Sequence, residues 1–165
     1  AARFAEASPY AEVAIAALVL DGLGGRGRPR LAIAGNDATS APRTLVSTAA
    51  ARIEEQTSVR PRLPSVLTQL IDLGVPFAAG EHGPLLAHGI AAVTLTTDDA
   101  GDPGIPVGDA PGTLAVARLG ALGRSAEALV ASLDASVGAA LRATWRSTTR
   151  QCLSTTRNRP IRRRN

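Results

Sequence analysis

Several residue types that carry structure or chemistry are missing or rare in this chain. Among its 165 residues there is no Met and no Lys, one Cys, and 2% aromatic residues. A single cysteine excludes an internal disulfide, and the scarcity of aromatic rings leaves Ala, Val, Leu and Ile to build the core. No apolar run approaches the ~18 residues of a membrane-spanning helix, and no signal-peptide pattern opens the chain. The lack of an initiating Met indicates a processed chain or a fragment.

Acidic residues are missing from the C-terminal end, which divides the net charge of +4 unevenly. No Asp or Glu follows Asp134, whereas eight of the 18 arginines lie at or after Arg142. Residues 1–141 carry 10 Arg against 14 acids, a charge of −4, so we do not expect this body to bind nucleic acid. Residues 142–165 are predicted to be a basic disordered tail. The alternative is a basic-tailed interaction module that binds nucleic acid or anionic lipid.

Strand and helix patterns alternate along the body, which predicts an α/β domain of three layers. Its sheet is expected to be largely parallel or mixed and to be flanked by helices. The apolar run 13–20 is interpreted as a central strand, and further strands are predicted at 30–34 and 90–95. The predicted helices are 42–53, 65–73, 84–88 and 114–141. The Gly- and Pro-rich loop at 98–112 is long enough to indicate either function or disorder.

A glycine-rich motif follows the first predicted strand. Residues 22–27 fit the G-x-G-x-x-G pattern of dinucleotide sites. Such a site also needs a helix directly after the glycines, because the amides of the first helical turn bind the pyrophosphate. Here Pro29 and a strand pattern follow instead. We therefore interpret the glycines as a turn and predict no dinucleotide site.

Both histidines of the chain lie in one stretch, residues 75–97. Glu81 and His82 occupy a glycine-flanked turn before a short predicted helix, and His88 comes at the end of that helix. His82 and Glu81 are candidates for a substrate pocket, although His82 could equally cap the helix. His88 is predicted to be a C-terminal cap that interacts with the helix dipole.

Two segments of the chain resemble a known family. The sequence L-D-G-L-G at 20–24 is similar to the L-D-M-I-G segment of the zinc-dependent exopeptidases that include bacterial leucyl aminopeptidases and, more distantly, glutaminyl cyclases. The sequence G-E-H-G-P-L at 80–85, followed by G-I-A-A-V at 89–93, is similar to S-D-H-x-P-F and G-I-P-A-V of that family. The order and separation of the segments also fit, and the likeness covers about residues 1–135.

The resemblance implies a helix-flanked sheet with a two-zinc site at the carboxyl ends of its strands. Of the ligands in the family's motifs, Asp21 alone can be carried over to this chain. The family's earlier ligands, a His-x-Asp pair and a Glu-Glu pair, would lie upstream of residue 1. In the family's late ligand loop, which aligns with 108–114, Gly108 stands where a histidine is expected. Asp21 could therefore be a remnant metal ligand or a turn-forming residue that accepts hydrogen bonds from the glycine loop.

Three hypotheses about function follow from these residues. The first is that the chain is the C-terminal part of a zinc-exopeptidase-like domain whose metal site is degenerate. Such a domain would be inactive and without zinc as given, and it would bind a peptide or a small molecule or act as a scaffold. The second is part of an active metallo-aminopeptidase with its other ligands upstream. The third is the basic-tailed module. An incomplete sheet would favour self-association. The sequence does not determine the cellular compartment, although members of the family are often exported.

Overall fold

The computed structural model of the chain describes residues 1–75, 78, 80–97 and 114–156, with side chains described as far as Val137 apart from that of Leu73. The chain divides into two units, Ala1–Leu129 and Val130–Asn165. The first contains the sheet and most of the helices, and the second contains the C-terminal part of the last helix. Among the described residues, none of the helices combines the length and the apolar composition that spanning a bilayer requires.

The described strands form one mixed sheet. They are β1 (Ala16–Asp21), β2 (Arg30–Ala32) and β3 (Ala91–Thr96), and their order in the sheet is β1-β3-β2. Strand β1 pairs with β3 in parallel, whereas β2 pairs with β3 antiparallel. Helices come between and after the strands. The predicted α/β class with a mixed sheet flanked by helices is therefore confirmed.

The prediction that the first apolar run forms the central strand was wrong. Of the described strands, β3 lies in the centre and β1 at an edge. Strand β1 is only half-buried, and Leu20 near its end is 49% exposed. Both runs are short and apolar, so their hydropathy does not distinguish them. Each strand begins with two alanines, but β3 has three β-branched residues and β1 has one, and β-branched residues fit a strand packed on both faces.

Each face of the sheet has its own layer of apolar side chains. On one face, Ala92 of β3 packs with Leu85, Leu86 and Ile90, and the small residues Ala17 and Val19 of β1 pack against this cluster. On the other face, Leu31 and Leu95 pair across β2 and β3 and are fully buried. The alternation of side chains along a strand explains how β3 serves both layers.

Four helices precede the last one in the described part of the chain. They are α1 (Ala2–Ala7), α2 (Arg43–Thr57), α3 (Val66–Gly74) and α4 (His82–Ala87), with a 3-10 turn at Ala11–Val13, and α2, α3 and α4 lie close to the positions that the sequence predicts. Helix α2 buries Leu45, Val46, Ala49 and Ile53, which lie on one side of the helix. Helix α4 begins two residues before the predicted start, so that His82 lies inside it.

Helix α3 is oriented against its hydrophobic pattern. Ser65 caps its N-terminus by accepting a hydrogen bond from the amide of Thr68 at 3.1 Å. Its apolar side chains Val66, Leu67, Leu70 and Ile71 are 57–74% exposed. None of the α3 side chains that the structure describes is buried. A surface helix ordinarily turns its apolar side toward the core. The reversed orientation of α3 must therefore have its cause in the residues that the helix faces on the protein side.

The last helix, α5, runs from Val116 to Thr156 and passes the predicted end at about Leu141. The apolar stripe fades there, and residues 142–156 contain five Thr and two Ser but only one Ala and one Leu, so helix propensity does not explain why the helix continues. The first part of the predicted tail, up to Thr156, is nevertheless helical. The prediction of a dispensable, disordered tail is untested, and residues 157–165 lie outside the described residues. The predicted loop 98–112 also lies outside them.

The glycine motif forms a turn, as predicted, and strand β2 follows it where a dinucleotide site would need a helix. Gly22 has a φ of 55°, which favours glycine, and its carbonyl oxygen accepts a hydrogen bond from the hydroxyl of Thr97. A side chain at Gly27 would overlap the carbonyl oxygen of Thr97. The glycines thus let the turn pack closely against the end of β3.

We expect Gly27→Ala to lower the free energy of unfolding by about 2–3 kcal/mol, because the new methyl group meets backbone that cannot move freely. Gly123→Ala is the matched control, since Gly123 lies within α5 with no atom near the position of a new methyl group. That change should raise stability by ~0.5–1 kcal/mol through helix propensity. Chemical denaturation measures both variants, and equal stabilities would contradict the close approach of the turn to Thr97.

Candidate functional site

A row of polar side chains crosses the sheet at the carboxyl ends of the parallel strands. Asp21 of β1 pairs with Thr96 of β3, and Thr96 pairs on its other side with Arg30 of β2. Arg62 continues the row, because it forms an isolated bridge with Arg30. Paired residues of neighbouring strands face the same side at a spacing of about 4.8 Å. We call Asp21, Thr96, Arg30 and Arg62 the polar row.

The polar row forms the floor of a cleft. Helix α4 covers the same face of the sheet nearer the start of β3, and its cover ends before the row. The cleft has a volume of about 510 Å³, within the usual range of ligand sites. Besides the polar row, its lining comprises Leu31, Ala32, Ile33, Ala34, Leu63, Pro64, Ser65, Thr68, Asp72, Ala78, Gly80, His82 and Thr94. We call it the polar cleft.

Helix α3 contributes its polar side to the polar cleft. Ser65, Thr68 and Asp72 follow one another at intervals of three and four residues, and all three line the cleft. The apolar side of α3 consequently points away from the sheet, which accounts for its exposure. The lining of the cleft therefore includes two acidic residues, Asp21 and Asp72, and two arginines, Arg30 and Arg62.

His82 is buried in the wall of the polar cleft. It is the first residue of α4 and is 2% exposed. Its Nδ1 lies 2.8 Å from Oγ1 of Thr94, a buried residue of β3 on the same face as Thr96. A side chain at Gly80 would collide with the imidazole ring. The absence of a side chain at Gly80 thus allows the ring to sit directly on the strand.

Burial lowers the pKa of His82 below its ordinary value of 6.5, because an imidazolium would lose its hydration in this position. The backbone carbonyl of Ala34 opposes this effect and raises the pKa, although it accepts no hydrogen bond of good geometry from Nε2. Burial is the larger of the two effects, so the ring is neutral at pH 7. Among the described residues, Nε2 is left without a hydrogen-bond partner.

Glu81 does not share the environment of its neighbour His82. Its carboxylate is exposed and accepts a hydrogen bond from the amino group of Ala1 at 2.6 Å. This hydrogen bond, together with the charge of the amino group, lowers the pKa of Glu81. Glu81 is absent from the lining of the polar cleft. Of the predicted pocket pair, the structure therefore brings His82 into the cleft, where it joins Asp21, and leaves Glu81 outside.

His88 has the capping position that the sequence predicts. It follows the last residue of α4, and its ring nitrogen Nδ1 lies 2.8 Å from the carbonyl oxygen of Pro84 in that helix. The side chain is exposed and lies outside the polar cleft. His88 is thus part of the end of the helix and not of the site.

The polar cleft does not supply a zinc site from the residues that the structure describes. Nowhere among them do three or more His, Cys, Asp or Glu side chains come together in a way that could hold a metal ion. Asp21, the predicted remnant ligand, has the hydroxyl-bearing Thr96 as its neighbour in the row, followed by the cation Arg30. Gly108 and the rest of the late loop lie outside the described residues. Within the described residues, Asp21 therefore has no second and third ligand beside it that could complete a zinc site.

Reasoning from sequence missed most of the cleft. No motif in the sequence marks Arg30, Arg62, Thr94, Thr96 or Asp72 as residues of a site. The alternation of β3 was an available signal, since threonines at 94 and 96 share a face of a buried strand. The pairing of Arg30 with Thr96 had no such signal, because register depends on tertiary structure.

Comparison with protein-family models, with curated proteins and with solved structures gave no match.

The buried His82 predicts a specific dependence of stability on pH. In the unfolded chain the ring binds a proton below about pH 6.5, whereas the folded protein keeps it neutral to a lower pH. The free energy of unfolding should therefore hold its full value above pH 6.5 and fall as the pH drops toward the folded pKa. His82→Gln should flatten this fall, while losing about 1 kcal/mol at pH 7 with the Thr94 hydrogen bond.

Denaturation curves between pH 5 and 8 measure the effect in the wild type and in His82→Gln. His88→Gln is the matched control, because it removes the exposed histidine and leaves the buried one in place. We expect the control to keep the acid-side loss of stability. If His82→Gln keeps it as well, the loss has another origin.

Proposed function

We propose that this chain is a zinc-exopeptidase-like domain that has lost its metal site and binds a peptide or a small molecule in the polar cleft. The observation that carries the proposal is the position of the cleft. In α/β folds ligands bind beyond the carboxyl ends of the strands, and the polar row stands at that end of β1 and β3. The resemblance of 20–24 and 80–93 to the exopeptidase motifs supports the family assignment.

The chemistry of the polar cleft favours binding over hydrolysis. A two-metal peptidase needs several carboxylate and imidazole ligands around the ions and a carboxylate base for the attacking water. Asp21 is a single carboxylate beside a hydroxyl, and His82 already uses Nδ1 to contact Thr94. At the late ligand position the sequence has Gly108, which has no donor side chain. The remaining groups can orient a polar ligand.

An active metallo-aminopeptidase remains the alternative enzyme hypothesis. It requires ligands supplied from upstream of residue 1, and a His-x-Asp and a Glu-Glu pair encoded there would favour it. The basic-tailed module is a third proposal. It depends on residues 142–165, where side chains lie outside the described part of the structure.

We expect the purified chain to retain well below one zinc ion per molecule after dialysis and to show no aminopeptidase activity on leucine anilides. The physical reason is that one carboxylate does not hold zinc against buffer. Elemental analysis and a chromogenic assay measure the two quantities. Asp21→Asn is the informative variant. One or two zinc ions in the wild type that are lost in Asp21→Asn would contradict the proposed loss of the metal site, because they would require ligands within this chain besides Asp21.

Self-association is a further proposal, and the exposed side of α3 supports it. Four large apolar side chains on one side of a helix are costly to leave in water, and a second copy of the chain can cover them. We expect sedimentation velocity to show concentration-dependent association that weakens in Leu67→Ser/Leu70→Ser. Thr44→Ser, on the exposed first turn of α2, is a control that leaves α3 intact. A wild-type monomer at all concentrations would contradict the proposal.

A further inference from the structure

The sequence R-P-R-L occurs twice in the chain, at 28–31 and at 60–63. The structure places the two copies side by side, because Arg30 and Arg62 form a parallel bridge. Two backbone hydrogen bonds of 3.0 and 2.7 Å fix this register, and in them Arg62 bonds to the residues on either side of Arg30. Corresponding residues of the two copies are therefore neighbours.

The prolines of the two copies hold the backbone extended and turn the arginines away from the core. A proline fixes its own φ and keeps the residue before it in an extended conformation. Pro29 and Pro61 are both buried. Successive side chains of an extended backbone alternate between its two sides, so the arginines before and after each proline lie on the other side. Three of these four arginines are exposed, and Arg30 is half-buried.

The four arginines form a two-by-two arrangement, which we call the arginine array: Arg28, Arg30, Arg60 and Arg62. Neighbouring strands lie about 4.8 Å apart, and alternate residues of one strand lie about 6.6 Å apart. A side-chain contact joins the outer pair as well, because Nε of Arg28 donates a hydrogen bond to the carbonyl oxygen of Arg60 at 2.9 Å. Arg30 and Arg62 line the polar cleft, and the other two arginines extend the array beyond it.

The arginine array carries more positive charge than its surroundings balance. Like charges on directly opposite residues of paired strands are destabilising. The lining of the cleft offers two acidic residues, Asp21 and Asp72, against four guanidinium groups. Among the described residues, neither Arg28 nor Arg60 forms an ion pair with a carboxylate. An excess of charge on a fixed backbone attracts a partner of opposite charge, which here is an anion.

The charge of the rest of the body decides between the anionic partners. Residues 1–141 carry a net charge of −4, from 10 Arg and 14 acids. Such a body repels a nucleic acid, in which every phosphate along a long chain is charged. A short acidic segment of a peptide presents few charges, all of which can meet the array. The balance of charge therefore favours an acidic peptide.

The spacing of the arginine array matches that of an extended peptide. Side chains at alternate positions of an extended peptide lie on one side, about 6.6 Å apart. This is the spacing of the two arginines within each copy of the motif. One carboxylate of the peptide would lie at Arg28 and Arg60 and the next at Arg30 and Arg62. Carboxylates form strong and often bidentate hydrogen bonds with guanidinium groups.

The edge of the sheet at this motif does not suit the addition of a further strand. The copy at 60–63 lies on the side of β2 away from β3. Its second residue, Pro61, has no amide hydrogen to donate to a neighbouring strand. Recognition therefore depends on the guanidinium groups and not on backbone pairing.

We propose that the arginine array binds an acidic segment of an extended peptide that has carboxylate side chains at alternate positions. This assignment rests on the proposed role of the polar cleft as a site for a peptide. It adds the class of the peptide and the residues that select it.

The test measures the binding of short peptides to the full-length protein by isothermal titration calorimetry at low salt. The probe is S-E-S-E-S, acetylated and amidated at its ends. Its isomer S-E-E-S-S has the same charge, but its adjacent glutamates face opposite sides of an extended chain. S-Q-S-Q-S has no charge. We expect the probe to bind at least about tenfold more tightly than either, as the loss of a charged hydrogen bond implies, and to weaken as salt is added.

Arg28→Gln/Arg60→Gln should weaken binding of S-E-S-E-S about tenfold or more, because it removes one cross-strand pair of guanidinium groups. Arg3→Gln/Arg43→Gln is the matched control. It removes the same total charge from two exposed arginines outside the polar cleft and should bind like the wild type. Should the array variant fail to fold, the preference of the wild type for S-E-S-E-S over its isomer still decides the matter.

The inference is overturned if the isomer binds as tightly as S-E-S-E-S, or if the array variant binds as tightly as the matched control. Tighter binding of single-stranded oligothymidylate would assign the array to nucleic acid and would also overturn it. The role of the polar cleft is tested separately by Thr68→Trp, which fills the cleft from α3. Unchanged binding of S-E-S-E-S in that variant would contradict the cleft as the site and leave the array assignment standing. Binding of S-Q-S-Q-S as tight as that of S-E-S-E-S, and lost in Thr68→Trp, would do the reverse.

Discussion

Strand β3 is the element on which the rest of the described fold depends. It is bonded to β1 on one side and to β2 on the other, so its backbone groups are satisfied within the sheet. Five of its six residues are buried, which requires cover on both faces. Helix α4 supplies one cover and α2 contacts the strand as well. The positions of these helices follow from the need to shield a single strand from water.

The polar end of β3 creates the candidate site because buried hydroxyl groups need partners. Thr94 obtains one from the ring of His82, and Thr97 from the carbonyl of Gly22. The first contact draws the start of α4 onto the strand, and the second draws the glycine turn against its end. Each hydrogen bond is worth only about 1 kcal/mol net, but a buried hydroxyl left alone costs more. The threonines thus position the elements that surround the cleft.

The sequence predicts the class of the fold well and the site poorly, for physical reasons. The periodicity of α2 and the cap at Ser65 are local signals, and both helices form close to where these residues indicate. The central position assigned to 13–20 failed, because an apolar run does not reveal how many neighbours a strand has. His82 was a candidate from its surroundings in sequence, whereas Arg30 entered the site only through its register with Thr96. Register joins residues far apart in the chain, and no local pattern encodes it.

The orientation of α3 follows from the same polar row. Rotated by half a turn, the helix would bring Leu67 and Leu70 over the cleft and gain about 1.5–3 kcal/mol for each side chain fully buried. That rotation would also place Arg30 and Arg62 beneath an apolar cover, at a cost of several kcal/mol for each ion taken out of water. Keeping Ser65, Thr68 and Asp72 inward leaves the guanidinium groups in polar surroundings. The exposed leucines are therefore a consequence of keeping the cleft polar, and a local rule broken in this way is typical of a functional site.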